Sequence, residues 1–179
     1  MRYLTSLSII AAMMAGAAPT SLFADQSTSP GQCLKLRKQY AGQFRAGWFT
    51  DPTRKAVMEL FAKDKKAFAE KSKQWLRHCP IDAKVHAMRA RVLTEPSQAA
   101  QKQYHQAMFS GLMESLFKSG DGKSCKTAYH AINVNEEYMV LDWLNAKPAG
   151  HNSQEGCDVF DVQLKGKPAK IYFDVSGSL

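Results

Sequence analysis

The sequence predicts an α+β protein in which a stack of four or five antiparallel helices precedes a small antiparallel β-sheet with one short helix. Two observations predict this arrangement. Apolar residues recur every three or four positions up to about residue 118, which is the period of a helix. After residue 119 the composition changes, and apolar and polar residues begin to alternate on a period of two. We therefore divide the mature chain into a helical stack, residues 25–118, and an α/β unit, residues 119–179, which packs on the helices to form one compact domain.

Residues 1–24, MRYLTSLSIIAAMMAGAAPTSLFA, have the pattern of a secretory signal peptide. The positive residue Arg2 precedes an apolar run from Leu4 to Ala18, and the small residue Ala24 ends the segment. The run is shorter than the roughly 20 residues that span a bilayer, and no second apolar run follows. The segment predicts a periplasmic or secreted protein without an integral membrane anchor.

The first predicted helix covers about residues 33–49. Within it, large apolar side chains recur at every fourth position, at Leu36, Tyr40, Phe44 and Trp48. Asp51 and Pro52 then form a typical helix start, because an acidic N-cap is followed by proline in the first turn.

Three more helices are predicted before residue 119. One runs from about Asp64 to His78 and stops at Pro80, which cannot continue a helix. Asp82 caps the next helix, and Pro96 separates it from a longer one. The packing face of that longer helix comprises Tyr104, Ala107, Met108, Gly111, Leu112, Ser115 and Leu116.

The segment SGDGKS, residues 119–124, contains the second half of a phosphate-binding loop but does not complete one. The first glycine of that motif would fall at Phe117, and the preceding residues are predicted to be helical, whereas the motif follows a strand. A calcium loop is excluded as well, because Asp121 is the single acidic residue where several ligands are needed. Gly120 is predicted to be the left-handed residue that ends the helix, with Asp121 and Gly122 in a turn.

The α/β unit is predicted from four segments. Thr127–Val134 is rich in β-branched and aromatic residues and indicates a strand, and a short helix follows from Glu136 to Asn145. The segment AKPAGHNSQEG is predicted to be a polar loop. The two runs CDVFDVQL and AKIYFDVS alternate on a period of two and predict an antiparallel hairpin joined by KGKP.

The segment SGDGKSCKTAYHAINVNEEYMVLDWL and the later VFDVQLKGKPAKIYFDVS resemble an exported bacterial family known only as a domain of unknown function. The shared pattern is a helix ending in SGDG, a Thr-Ala-aromatic strand, a helix starting with Glu-Glu-Tyr and a closing YFD strand. The resemblance covers about residues 98–175. The helices before it, including PIDAKVHAMRARVL, resemble a degenerate tetratricopeptide-type pair, which implies a concave surface for peptides. The family implies no particular reaction or ligand.

The chain has four cysteines, all after residue 24, and an even number in an oxidising compartment predicts two disulfides. Four cysteines allow three connectivities. We favour Cys33 with Cys79 and Cys125 with Cys157, because each pair then closes within one half of the chain.

The same residues allow two other interpretations. Cys125 with His130, and His151 with Cys157, have the spacing C-x4-H and H-x5-C of a tetrahedral zinc site. A free cysteine beside either histidine could instead be a nucleophile, with Asp158 or Asp161 orienting the base. Because export favours the disulfide over free thiolates, we expect no metal and no other cofactor. An envelope hydrolase that uses His130, His151 and Asp158 is kept as the alternative function.

Two further catalytic patterns are weaker. A carboxylate pair for glycoside chemistry could be drawn from Glu136, Glu137, Asp158, Asp161 and Asp174. Glu136 and Glu137 stand at a helix start, where acids stabilise the helix dipole without any catalytic role. The sequence contains no G-x-S-x-G elbow of a serine hydrolase.

The charge distribution points to a binding function. Residues 25–118 carry 17 Lys or Arg against 8 Asp or Glu, whereas residues 119–179 carry 6 against 8. The basic half could meet an acidic partner, an anionic lipid head group or a glycan. The lysines of KDKKAFAEKSKQ are interleaved with acids, however, which is typical of a solvated helix face. An exported chain without a reader motif is not expected to bind nucleic acid. A possible binding surface comprises Tyr129, Tyr138, Trp143 and Tyr172, although such residues also form cores between sheet and helix.

We therefore expect an exported, disulfide-stabilised binding or interaction protein rather than an enzyme. The expected partner is another protein or an envelope component. One version of this function is an immunity or inhibitor protein that blocks a periplasmic toxin or hydrolase.

Overall fold

The computed structural model describes residues 28–44, 51–154 and 156–176. The predicted signal peptide, residues 1–24, lies outside the described residues, as does Trp48 of the first apolar stripe. The architecture is α+β, as predicted, with the helices mostly in the first part of the chain and a four-stranded sheet after them. None of the described helices combines the length and the apolarity needed to cross a membrane.

Among the described residues, five α-helices precede the α/β unit: α1 (Pro30–Phe44), α2 (Pro52–Lys63), α3 (Lys65–His78), α4 (Ala83–Val92) and α5 (Ala99–Phe117). The predicted caps Asp51 and Asp82 are confirmed, and Asp64 is a third cap that was not predicted. Asp51, Asp64 and Asp82 each accept a hydrogen bond from a backbone N–H in the first turn of α2, α3 and α4, respectively. Local sequence therefore fixes where these helices begin.

The helices pack as neighbours in the order α2, α3, α4, α5 and α1, so α1 lies against α5. Their shared core includes Val57, Phe68, Trp75, Ile81 and Met108. A buried ion pair joins three of these helices: Arg54 of α2 donates to Asp82 at 2.7 Å, and Trp75 of α3 donates to the same carboxylate at 2.9 Å. The tetratricopeptide likeness remains a prediction.

The turn after α5 differs from the prediction at its glycines. Gly122, not Gly120, has a positive φ, of 66°. A Cβ at Gly120 would collide with the backbone carbonyl of Ala128, so glycine is needed there for close approach of the chain.

The sheet contains β1 (Tyr129–His130), β2 (Lys147–Gln154), β3 (Cys157–Leu164) and β4 (Lys167–Asp174) in the order β1-β4-β3-β2. The predicted hairpin of β3 and β4 is confirmed, with a turn at Lys165 and Gly166, both at positive φ. The sheet is mixed rather than purely antiparallel, because β1 pairs with β4 in parallel. The helix between β1 and β2 is α6 (Val134–Trp143).

Two predictions in this unit were wrong in extent. The strand predicted over residues 127–134 is reduced to the two residues of β1, since a 3-10 turn precedes it and α6 begins at Val134. The segment predicted as a polar loop is the edge strand β2, whose residues are almost all exposed. Its polar composition reflects that exposure, and pairing with β3 defines the strand.

A second core lies between α6, α5 and one face of the sheet. Phe160, Ile171 and Phe173 from the sheet meet Val140 and Leu141 from α6. Residues that alternate with these on the strands lie on the other face of the sheet. α6 therefore packs against the face of the sheet on which the Asp158 side chain of β3 also lies.

Candidate functional site

A buried ion pair holds α6 in place. Arg37 of α1 donates through Nη2 to Oε2 of Glu136 at 2.6 Å and through Nε to Oε1 at 3.2 Å. The same Nη2 also donates to the backbone carbonyl of His130 at the end of β1, at 2.7 Å. Asn133 caps α6, and the Ile132 amide donates to Glu136. One arginine from the first helix thus positions both a strand end and the start of α6.

Glu137, the next residue on α6, is also buried, with 1% of its surface exposed. Neither of its carboxylate oxygens has a hydrogen-bond donor among the described residues. Burial raises the pKa of Glu137 to about 8, and the neighbouring charges of Asp158 and Glu136 act in the same direction. A side-chain hydrogen bond with Asp158 also raises the pKa of Glu137. Glu137 therefore faces a second carboxyl group, whereas Glu136 is paired with Arg37.

His151 and Asp158 lie next to Glu137 because of the register between β2 and β3. Ser153 is opposite Asp158, and His151 is opposite Phe160, so all four side chains are on one face of the sheet. The His151 Nε2 lies 3.6 Å from Oδ2 of Asp158. Ser153 Oγ donates to the other carboxylate oxygen of Asp158 at 2.8 Å.

The ring of His151 is held by stacking. It lies parallel to the Phe160 ring, with 4.3 Å between the ring centroids and 13° between the planes. One ligand-type atom from each of Glu137, His151 and Asp158 lies within 4.8 Å of the others. We call these three residues the acid–histidine cluster. Two carboxylates and one imidazole at this spacing can share a proton or bind a cation.

His130, which the alternative hydrolase required, is not in this cluster. It lies on β1, at the opposite edge of the sheet from β2, so three strand spacings of roughly 4.8 Å separate the strands of His130 and His151. Its Nε2 is 3.9 Å from Asp174 instead. His130 also lines a cavity of about 390 Å³ with Lys38 and Lys118. The structure thus brings together His151 and Asp158 of the three predicted catalytic residues.

Cys125 and Cys157 form the disulfide that was favoured. This bond excludes the proposed zinc set of Cys125, His130, His151 and Cys157, because neither sulfur is a free thiolate. It likewise removes Cys125 as a nucleophile. The bond links the 3-10 turn before β1 to the start of β3.

The second predicted disulfide, Cys33 with Cys79, was wrong, since both are free and buried. Cys33 on α1 lies against Gly111 of α5, where a Cβ on the glycine would meet its sulfur. Cys79 follows α3 as its C-cap. Burial raises the pKa of the Cys33 thiol to about 11 and raises that of Cys79 further. Each cysteine therefore serves as a small apolar side chain in the helical core.

The four aromatic residues of the possible binding surface do not form one patch. Tyr129 is buried in the second core. Tyr172 is half-buried and, by register, alternates with the core residues Ile171 and Phe173, so it lies on the face of the sheet away from α6. Tyr138 and Trp143 remain on α6, and they are 47% and 51% exposed.

Both exposed side chains are packed on one side. The Tyr138 ring lies edge-on to Phe160, with 5.5 Å between centroids. Trp143 contacts Phe109 and Phe117 of α5, at 5.7 Å and 6.0 Å. Their outer faces are thus exposed while their orientation is fixed.

Another polar cluster is buried between α3, α4 and α5. Arg89 Nε donates to His105 Nε2 at 2.9 Å, so the proton of neutral His105 is on Nδ1 and is donated to His86 Nδ1 at 2.8 Å. His86 Nε2 then donates to the Pro80 carbonyl at 3.0 Å, and Arg89 also donates to Ser72. Burial lowers the pKa of His86 to about 4 and that of His105 to about 3.

Sequence reasoning missed the roles of Arg37, Glu137 and the His86–His105 pair. Glu137 and Asp158 were among the five acids considered for a carboxylate pair, but Glu137 was favoured as a helix-start acid, and β2 was not recognised as a strand. One signal was available: Glu137 lies three and four positions before the apolar Val140 and Leu141, so it shares their helix face. An acid on an apolar face is a candidate for a buried functional group.

Comparison with known families gives one match. A family model described as Domain of unknown function (DUF4919) matches residues 40–179. The matched range includes α6, β2 and β3, and therefore every residue of the acid–histidine cluster. No curated protein and no solved structure matches the chain.

Proposed function

We propose that this chain, which belongs to the family described as Domain of unknown function (DUF4919), is an exported, non-catalytic protein that binds another protein through α6. The observation that carries the proposal is the pair of half-exposed aromatic side chains, Tyr138 and Trp143, on this one short helix. Tyrosine and tryptophan are enriched among the residues that dominate binding energy at protein interfaces.

The rigidity of α6 supports this function. Binding costs less when the contacting side chains are ordered beforehand. The Arg37–Glu136 ion pair fixes the start of α6, and contacts with Phe109 and Phe117 fix the orientation of Trp143. The aromatic side chains would therefore lose little conformational freedom when a partner covers them.

The charge near the end of α6 favours an acidic partner. A surface cavity of about 430 Å³ follows the helix and is lined in part by Leu144, Lys147 and Lys165. The two lysines have no ion-pair partner among the described residues, and Asp142 is the exposed acid on this end of the helix. Acidic side chains on a partner would complement the lysines and speed association. An immunity or inhibitor protein that covers a toxin or hydrolase is one version of this function.

The test is capture of a partner by the immobilised chain from an envelope extract of the source organism. The double variant Tyr138→Ser/Trp143→Ser should capture at least about tenfold less of the partner than the unaltered chain does, because two aromatic contacts are removed. Tyr172→Ser is the matched control, since this tyrosine lies on the other face of the sheet. Retention that is equal in the double variant and the control would refute the role of α6. The immunity version also predicts a toxin gene beside the gene for this chain.

The alternative function, an envelope hydrolase, has lost much of its support. Cys125 is in a disulfide and His130 is at the far edge of the sheet, so His151 and Asp158 are the members of its predicted set that come together.

A further inference from the structure

We propose that Glu137, His151 and Asp158 bind one divalent transition-metal ion of the zinc class. This inference is independent of partner binding. The donor set consists of one imidazole and two carboxylates. Such a mixed set suits zinc, manganese or ferrous iron, whereas magnesium and calcium prefer oxygen ligands alone.

The spacing of the three donors fits a single ion. Metal–ligand distances of about 2.0–2.2 Å and angles between 90° and 109° place neighbouring donor atoms roughly 3.0–3.5 Å apart. His151 Nε2 and Asp158 Oδ2 are already 3.6 Å apart. The three donors lie within 4.8 Å of one another, which is close enough for one ion to contact all three after they draw in by about 1 Å.

The second observation is the state of Glu137. It is 1% exposed, and both its oxygens lack a hydrogen-bond donor among the described residues. Buried carboxylates are ordinarily paired, hydrogen-bonded or bound to a metal. No lysine or arginine among the described residues forms an ion pair with Glu137 or Asp158. At neutral pH the proton of Glu137 is shared with the Asp158 carboxylate. A cation between these side chains would replace that shared proton and neutralise both carboxylates.

Supporting contacts hold the other two ligands. Ser153 donates to Oδ1 of Asp158, which leaves Oδ2 directed toward His151. Phe160 fixes the imidazole plane by stacking. Such outer contacts orient ligands and raise metal affinity in known sites. His151 is 43% exposed at its side chain, so the ion has a path from solvent.

The site has three protein ligands, which leaves at least one coordination position for water or for a group on a bound partner. Tyr138 follows Glu137 directly on α6 and contacts Phe160. The bound cation would therefore lie beside the surface that we propose for partner binding.

The test is isothermal titration of the chelator-treated, full purified chain with Zn²⁺, and separately with Mg²⁺ and Ca²⁺. We expect one saturable Zn²⁺ site and at least about 100-fold weaker binding of the other two ions. Glu137→Gln and His151→Gln should each weaken Zn²⁺ binding by more than about tenfold. The matched controls are Glu114→Gln and His78→Gln, which alter exposed residues of α5 and α3 and should bind as the unaltered chain does.

Folding is checked for each variant by circular dichroism. Glu137→Gln keeps the shape of the side chain, and His151→Gln changes an exposed residue on an edge strand, so at least the second variant should fold. The inference is overturned if the unaltered chain shows no saturable Zn²⁺ binding. It is also overturned if the His151 and Glu137 variants bind Zn²⁺ as tightly as the controls, since the ion is then bound elsewhere.

Discussion

The buried pair His86 and His105 should make the helical half sensitive to acid. Both side chains are neutral in the folded protein, because their pKa values fall from 6.5 to about 4 and about 3, respectively. In the unfolded chain they take up protons below pH 6.5. The stabilising contribution of these residues is therefore complete above the unfolded pKa and is lost as the pH falls toward the folded values.

The magnitude follows from these pKa values. At pH 5.0 the linkage relation gives a loss of about 2 kcal/mol for each histidine relative to pH 7.5, and about 4 kcal/mol for both. Glu137 acts in the opposite direction: its pKa is raised from 4.5 to about 8, so its contribution is present below the unfolded value and is lost as the pH rises through the folded one. The pH dependence of the unaltered chain alone thus mixes two opposing effects.

A comparison of variants separates them. Urea unfolding at pH 7.5 and pH 5.0 gives the change in the free energy of unfolding for the unaltered chain and for His86→Gln/His105→Gln. The double variant should lose about 4 kcal/mol less on acidification, since the Glu137 contribution is common to both proteins. His78→Gln, at an exposed position on α3, should change as the unaltered chain does.

An equal change of the free energy of unfolding in the double variant and the unaltered chain would refute the reasoning. Each single variant should account for about half of the effect, which allows the test to proceed if the double variant does not fold. Proton NMR provides a direct check, because the ring signals of both histidines should titrate below pH 5 in the folded protein.

Three further predictions concern other parts of the molecule. Arg37→Met leaves the carboxylate of Glu136 buried without its partner, and urea unfolding should show a loss of about 3–5 kcal/mol; a loss below 1 kcal/mol would contradict the assigned ion pair. Cys33 and Cys79 should be unreactive to a thiol reagent in the folded chain and should both react after denaturation without reductant. If no thiol reacts in the denatured chain, the two cysteines form a second disulfide. Gly166→Ala should cost about 1–2 kcal/mol in urea unfolding, because φ is 77° there although a Cβ has open space; an unchanged stability would show that the turn relaxes.

Local signals were sufficient for the starts of α2 and α4 and for the hairpin, whereas α1 and α6 begin two or three residues before their predicted starts. A cap such as Asp51 or Asp82 acts on amides two or three residues away, so its effect is written in neighbouring positions of the sequence. The β3–β4 hairpin is equally local, since Lys165 and Gly166 set the turn and the alternation sets the faces. The Cys125–Cys157 pairing was predicted from compartment and proximity along the chain, but the same reasoning predicted the Cys33–Cys79 pair wrongly.

The candidate site could not be predicted in the same way. β2 carries no apolar alternation, because an exposed edge strand has no face that must be apolar, and its pairing with β3 alone defines it. Without β2, His151 has no fixed place relative to Asp158. The free state of Cys33 also depends on packing, since the sulfur lies against Gly111, far along the chain.

The sequence by itself determined the α+β class, the starts of α2 and α4 and the hairpin, because each depends on hydrogen bonds or periodicity among near neighbours. Only the tertiary structure decided which polar residues are buried and what they face. Arg37 meets Glu136 across 99 positions and pairs with that acid, while Glu137 faces Asp158 and His151. Two adjacent glutamates thus acquire different chemistry, because burial and partners are set by the approach of distant segments and not by the residues themselves.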